Sequence, residues 1–314
     1  MIDAPRPARW PAIPFVGRRT TKRGGPLAGE GRWALLFLAP TLVGLAVLSA
    51  GPILATLGIS FTRWDLLTAP DWVGVDNFVR LVSDDRFIKA LRNTVFYTVV
   101  SVPLGLVLAL GLAIALNQTI RGIAWIRTAY FLPVVTSTIA IALVWQWIYA
   151  PDSGLLNQVL GALGIPGQRW LADATLSMPS IVAMSVWQGL GINVIILLAG
   201  LQAIPTELLD AASVDGAGRW ARFRHVVLPL LTPTLFFTGI LSLIDSFQVF
   251  DQIFVLERPR ATDSTITVIY FIYENGFKFF KMGYASAASW ILFLIVAVLT
   301  ALYFRSQDRW VHYQ

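Results

Sequence analysis

Six apolar stretches, each near the ~20 residues that cross the hydrocarbon layer of a bilayer, recur at about 33–61, 93–116, 129–150, 180–201, 230–250 and 286–304. Hydrophobic residues make up 56% of the chain and charged residues 13%, against roughly 25% charged in a soluble domain. A chain of 314 residues with that balance cannot hide its apolar side chains in one globular core. Lipid has to be the missing solvent, so the pattern predicts an all-α membrane protein with six transmembrane helices. Arg18, Arg19, Lys22 and Arg23 precede the first span as they would precede an export signal. That span is too long for one and shows no small-residue cleavage site, so a retained first helix is expected.

With an even number of spans, both termini face the same side. Placing them in the cytoplasm puts fourteen Lys and Arg residues inside, seven of them (Arg6, Arg9, Arg18, Arg19, Lys22, Arg23 and Arg32) in the N-terminal tail, and ten outside. This is the sign that the positive-inside rule requires. The chain then divides into a basic cytoplasmic tail at 1–32, a six-helix domain at 33–305 and a short cytoplasmic tail at 306–314. The first tail, rich in Pro, Gly and Arg, is expected to be disordered or to lie along the anionic leaflet. The external segment 62–92 carries Trp64, Trp72, Phe78 and Phe87 among charges and predicts short interfacial helices. Segment 151–179, rich in Gly and Pro, predicts a loop with one short helix. No tandem repeat is present.

Between the fourth and fifth spans lies a polar island at 207–229. Pro205 suits the first turn of a short helix, where its missing N–H would be unpaired anyway, and Gly216 suits a left-handed stop about three turns later. A second helix restarting at Ala217 would put Trp220, Phe223 and Val227 on one face, with Arg219, Arg222 and Arg224 pointing elsewhere, and Pro229 is expected to close it. By itself such an island reads as an ordinary loop between membrane helices. Its pattern is Asp210-Ala211-Ala212, three residues, Gly216, nine residues, Val226, one residue, Leu228-Pro229. That pattern closely resembles the EAA loop of permease subunits of bacterial ABC importers of the maltose and glycerol-phosphate type, with Asp210 where the family usually has Glu. The resemblance covers roughly residues 33–305, through Phe37-Leu38-Ala39-Pro40, Gly74-Val75-Asp76-Asn77-Phe78, Arg127 with Phe131-Leu132-Pro133, Gly200-Leu201-Gln202-Ala203-Ile204-Pro205 and Met282-Gly283-Tyr284-Ala285-Ser286-Ala287. Glu257-Arg258-Pro259-Arg260 departs from it, because the family commonly has a Thr-Gly-Gly-Pro-like turn there.

The resemblance implies that this cytoplasmic helix-turn-helix docks in a cleft of a separate ATP-binding subunit and passes its movement to the membrane helices. Asp210 and Asp215 would offer acceptors, Ala211, Ala212 and Ala217 close approach, Gly216 the sharp turn, and Trp220 and Phe223 apolar anchors. Glu207, Leu228 and Pro229 complete the docking loop. Each also has a local reading as a capping acid, a small helix former or an interfacial aromatic. The implied partners are a second homologous permease, two ATP-binding subunits, an extracytoplasmic solute-binding protein and the lipid bilayer of a bacterial inner membrane. ATP and Mg would belong to the partner subunits, and no cofactor to this chain.

The residues agree that the motor is elsewhere. The only lysines are Lys22, Lys89, Lys278 and Lys281, and none lies in a Gly-x-x-x-x-Gly-Lys-Ser/Thr loop that could cradle phosphates. Two widely separated histidines, His225 and His312, assemble neither a metal site nor a Ser-His-Asp arrangement, and cysteine is absent. The chain is therefore not expected to be an enzyme. Its net charge of +6 is scattered between spans without a basic face, which argues against nucleic acid.

Polar residues inside a span mark a pathway by default, because lipid does not solvate them. The third span carries Thr136, Ser137, Thr138 and Gln146, the fourth Ser185, Gln188 and Asn193, and the fifth Ser242, Asp245, Ser246 and Gln248. Ser242, Asp245 and Ser246 share a helix face, as do Ser185, Gln188 and Gly189. By resemblance, Val134, Thr138, Ser185, Gln188, Gly189, Ser242, Ser246 and Val249 correspond to positions that hold sugar at mid-membrane. Interhelical hydrogen bonding explains the same polar groups equally well, and Asp245 could instead pair with the partner permease. No Lys or Arg falls inside the third to fifth spans, which favours a neutral sugar over glycerol phosphate. A channel or secondary transporter working without an ATPase remains as an alternative reading.

Overall fold

The computed structural model describes residues 28–118, 122–256 and 263–311. The tail before Ala28, the Glu257–Arg260 turn and His312 lie outside them. The chain forms two compact units, one up to Leu54 and one from Ala55 onward. In the first, α1 (Ala28–Leu45) runs through a π turn at Ala46–Ala50 into the start of α2 (Gly51–Ser60), and its large apolar side chains, among them Trp33, Phe37, Leu48 and Leu54, are exposed. Gly51 N–H returns five residues, to Ala46 O. Pro52 follows, and a widened turn lets a residue without an N–H enter the helix at a change of register.

The second unit, which begins within α2, continues with a two-stranded antiparallel hairpin, β1 (Thr62–Arg63) with β2 (Asp71–Trp72), a departure from the all-helical expectation. Its bend is built by Asp65, whose carboxylate accepts the N–H groups of Leu67 and Thr68 and the Thr68 hydroxyl. Those donors, Thr68 first, hold the Asp65 carboxyl below its ordinary range. The next helix, α3 (Asp76–Val82), is tied to the hairpin by Asn77 Nδ2, which donates to Ser60 O and Thr62 O. The second span, α4 (Asp85–Leu116), starts eight residues before the expected 93, because the Asp84 carboxylate caps it by accepting from Arg86 N and Phe87 N.

The third span is not one straight helix. It is α5 (Ile123–Val135) and α6 (Thr138–Ile148), bent by 103°. The β-branched run Val134-Val135-Thr136 favours extended backbone, which Thr136 adopts at ψ 140. Because α5 starts at Ile123, ahead of the expected 129, Arg127 lies within it. The short α7 (Leu155–Ala162) follows, then the long α8 (Ser177–Gln202), the two short helices α9 (Thr206–Val214) and α10 (Arg219–Arg222), and the fifth span α11 (Leu228–Phe247). After them come α12 (Asp251–Leu256), α13 (Val268–Tyr273) and α14 (Met282–Trp310), which continues past the expected boundary at 305. Five helices are long and apolar enough to cross a membrane among the described residues, six if the bent pair counts as one.

The core is built on α4, which packs most extensively against α8 and next against α11. It falls into two apolar clusters. One gathers Phe87, Ile181, Met184, Ile253 and Phe271, and the other Ala109, Val194, Leu197 and Leu231. Along α4, α8 and α11 the stretch between the clusters is where apolar packing gives way to polar side chains.

Candidate functional site

Two adjoining cavities, of about 380 and 330 Å³, open in that interval. Tyr97, Ser185, Gly189, Ile192 and Asp245 line both, so they form one polar chamber. Ser242 and Ser246 line the first cavity and Thr138, Gln188 and Gln248 the second, whereas Thr136, Ser137 and Gln146 of the third span line neither. Val134 and Val249 line it as well. The bend at Thr136–Ser137 carries Thr138 to the start of α6, where its hydroxyl accepts from Gln188 Nε2 at 2.9 Å. Gln188 Oε1 is shielded from solvent and has no hydrogen-bond partner. Ser185 Oγ is shielded too, beside Tyr97, and has no partner of good geometry. A shielded, unpartnered acceptor or hydroxyl costs ~1–3 kcal/mol, so both groups lack the bond that would offset their burial.

The fifth-span serines differ. Ser246 is buried and donates to Thr98 Oγ1 and Leu243 O, joining α11 to α4, as an interhelical bond would. Ser242 reaches Asn193 Oδ1 only at 3.5 Å, which leaves it free to exchange partners. Sequence reasoning passed over Tyr97 and Ser101 on α4, and Asp251 and Gln252 beyond α11. The signal was present: Tyr97 and Ser101 are four residues apart on one helix face. A tyrosine in a span, however, reads first as an interfacial aromatic.

The second candidate surface is the island at 207–229. Pro205 precedes α9 with φ −58 and ψ 129, and Glu207 stands in the first turn. The helix ends as Gly216 suggests: φ is +79, Gly216 N–H bonds to Ser213 O and Ala217 N–H to Ala212 O, a Schellman closure. Arg222 donates to Ser213 Oγ at 2.9 Å, fastening the second limb to the first. That limb starts at Arg219, and Pro229 does not close it. A π turn at Phe223–Val227, in which Leu228 N–H bonds to Phe223 O, absorbs the proline and runs on into α11. Asp210, Ala211, Asp215 and Gly216 are exposed, Ala212, Ala217, Leu228 and Pro229 half-buried. The two aromatics stay in contact, with ring centroids 5.5 Å apart, but differ in exposure. Phe223 is half-buried in a groove with Leu201 and Leu209, whereas Trp220 is 73% exposed.

Residues 101–311 match the model of the family described as binding-protein-dependent transport system inner membrane component. The chain belongs to that family. The permease is 36% identical over 276 residues to the lactose transport system permease protein LacF of Rhizobium radiobacter, covering 86% of this chain and 92% of that one. It is 33% identical over 282 residues to the sn-glycerol-3-phosphate transport system permease protein UgpA of Agrobacterium fabrum, covering 88% and 95%. In fold it is similar to a chain of a bacterial alginate ABC transporter solved in complex with an alginate pentasaccharide-bound periplasmic protein, with a TM-score of 0.80 and 23% identity over 89% of this chain and 96% of that one. The permease is thus a multi-pass membrane component of an ABC importer. No group of three or more His, Cys, Asp or Glu that could hold a metal occurs among the described residues.

Proposed function

We propose that this permease carries a neutral mono- or oligosaccharide through the chamber between α4, α6, α8 and α11, by alternating access driven from outside the chain. The observation that carries this reading is the convergence of Thr138, Ser185, Gln188, Ser242 and Gln248 with Tyr97 around one cavity system. Hydroxyls and amides bind sugar hydroxyls without the deep trap a charge pair would set, and a tyrosine ring offers a face to a pyranose. Asp245 adds a carboxylate that accepts from sugar hydroxyls.

The working assembly in this proposal has a second permease, two ATP-binding subunits that hold ATP and Mg, and an extracytoplasmic solute-binding protein, in a bacterial inner membrane with both termini cytoplasmic. The loop built on α9 and α10 receives the ATP-binding subunit, with Trp220 as the projecting anchor. Its 73% exposure, beside the exposed Val214, supports an apolar anchor used by another chain. The test is ATP-dependent uptake of labelled sugars by proteoliposomes holding the assembled complex and its binding protein. Gln188→Leu should raise the transport KM about tenfold, the worth of one lost charge-free hydrogen bond set at a desolvated site. Unchanged uptake of every sugar by Gln188→Leu and Ser185→Ala together would remove the chamber from the path. Glycerol phosphate is the second reading, favoured by the likeness to UgpA. No Lys or Arg lines either cavity, so an excess of glycerol 3-phosphate should leave sugar uptake undiminished.

A further inference from the structure

A third hollow, unconnected with the chamber, lies between α5 and α8. It is an open groove of about 610 Å³ whose walls are apolar, with Phe131 and Val135 on one side and Ile195 and Ala199 on the other. Its polar side chains gather at one end, where Arg127 near the start of α5 meets Gln202, the last residue of α8. The spacing explains the shape. Arg127, Phe131 and Val135 recur every four residues, and Ile195, Ala199 and Gln202 fall at i, i+4 and i+7, so each helix turns one continuous stripe to the groove. The helices are pinned one turn away at Gly191, where an added Cβ would strike Tyr130 O and the Val134 side chain.

We infer that this groove seats one anionic phospholipid, with an acyl chain along the Phe131–Ile195 walls and its phosphate on Arg127 and Gln202. Three observations carry the inference. Arg127 is exposed in the apolar bent pair α5–α6 and makes no ion pair among the described residues. An arginine there needs an anion or the headgroup layer. Trp125, two residues earlier and 81% exposed, is the kind of side chain that sits at headgroup depth, which puts the guanidinium at the level of lipid phosphates. A hollow that is apolar along its length and cationic only at its mouth matches an amphiphile end to end. A flat protein seam would instead spread its polar groups around a rim.

The physics also fixes what the site can discriminate. Lipid tails in the groove leave an environment as apolar as the one they enter, so chain burial gives little preference. Selectivity resides in the bidentate guanidinium–phosphate contact and in the uncompensated lipid charge. The groove therefore sorts lipids by headgroup charge and is nearly blind to chain length. The inference does not depend on which solute the chamber carries.

The test uses the assembled transporter extracted from nanodiscs of equimolar phosphatidylglycerol and phosphatidylcholine, with retained lipids weighed by native mass spectrometry. The intact complex should retain phosphatidylglycerol over phosphatidylcholine by about tenfold. Arg127→Gln should fall to near parity, Arg127→Lys should keep part of the preference, and Arg305→Gln, a control on α14, should match the unmodified protein. Parity in the unmodified complex, or an Arg127→Gln protein that keeps the preference, overturns the inference. A photoreactive benzophenone placed at Ala199 gives a second readout. Cross-links to lipid support the seat, and cross-links to the second permease overturn it by making the groove a subunit seam.

Discussion

Gly216 shows how one residue can be fixed by backbone alone. An added Cβ would meet nothing within 4 Å, so space is no objection to a side chain. The objection is φ +79, which costs an ordinary L-residue ~1–2 kcal/mol and a β-branched one more. Such a cost shifts a conformational equilibrium by ~5–30-fold. Gly216→Val is therefore expected to reach the membrane at normal abundance yet lose most binding-protein-stimulated ATP hydrolysis in proteoliposomes. Gly216→Asn, which tolerates the left-handed region, should keep most of it. Equal activity of the two variants would separate the turn from coupling. Gly189 and Gly191, only two residues apart, make the opposite pair. Nothing lies near a Cβ at Gly189, while one at Gly191 strikes the α5 backbone. Gly191→Ala should destabilise the purified complex by ~1–3 kcal/mol in thermal unfolding, and Gly189→Ala should leave the midpoint unchanged and alter only the chamber.

At the scale of elements, two π turns sit just before a proline and the α5–α6 bend sits in a β-branched run, while Pro103 and Pro233 lie within α4 and α11. The π turns at Ala46–Ala50 and Phe223–Val227 each end two residues before a proline, Pro52 and Pro229, so the missing N–H falls where the ladder already changes register. The second of these turns joins the exposed knob to α11 without a break in the helix, so under the proposed docking a movement of the knob would reach the helix that bears Ser242, Asp245 and Ser246. The hairpin works similarly outside the spans. Asn77 is 3% exposed and bonds two backbone carbonyls, Ser60 O and Thr62 O. Asn77→Ala leaves both unsatisfied and should cost ~1–3 kcal/mol, read as a lowered unfolding midpoint.

Across the whole second unit, segments far apart in sequence are joined by few charged groups. Arg86 on α4 pairs with Asp263 and with Glu274, which is nearly buried and also accepts from Lys278. Lys278 donates to the Tyr270 hydroxyl as well, and that bond and Glu274 hold its ammonium above the ordinary range. Arg86→Met leaves the Glu274 carboxylate short of a partner and should lower stability by ~1–3 kcal/mol, discounted because Arg86 is itself one-third exposed. Topology is directly testable, because the chain has no cysteine. Single substitutions Asp215→Cys and Leu67→Cys are both at exposed positions. A membrane-impermeant thiol reagent should label Leu67→Cys in intact cells and Asp215→Cys only after the membrane is opened. The reverse pattern would overturn the orientation and with it the docking role of the loop.

What the residues alone determined is what depends on short stretches of chain. The apolar runs marked the long helices, the glycine at 216 the left-handed turn, and the polar positions on the fourth and fifth spans, with Thr138 on the third, a set that lines one chamber. What the tertiary structure decided depends on partners distant in sequence. Tyr97 and Ser101 joined the chamber because α4 packs against α8 and α11, and Trp220 and Phe223, whose rings touch, differ in burial because only Phe223 also reaches a groove made by other helices. The groove beside Arg127 needed both α5 and α8 in place. Local backbone preference acts over a few residues, whereas a cavity is the space that several helices leave between them, and no single helix encodes it.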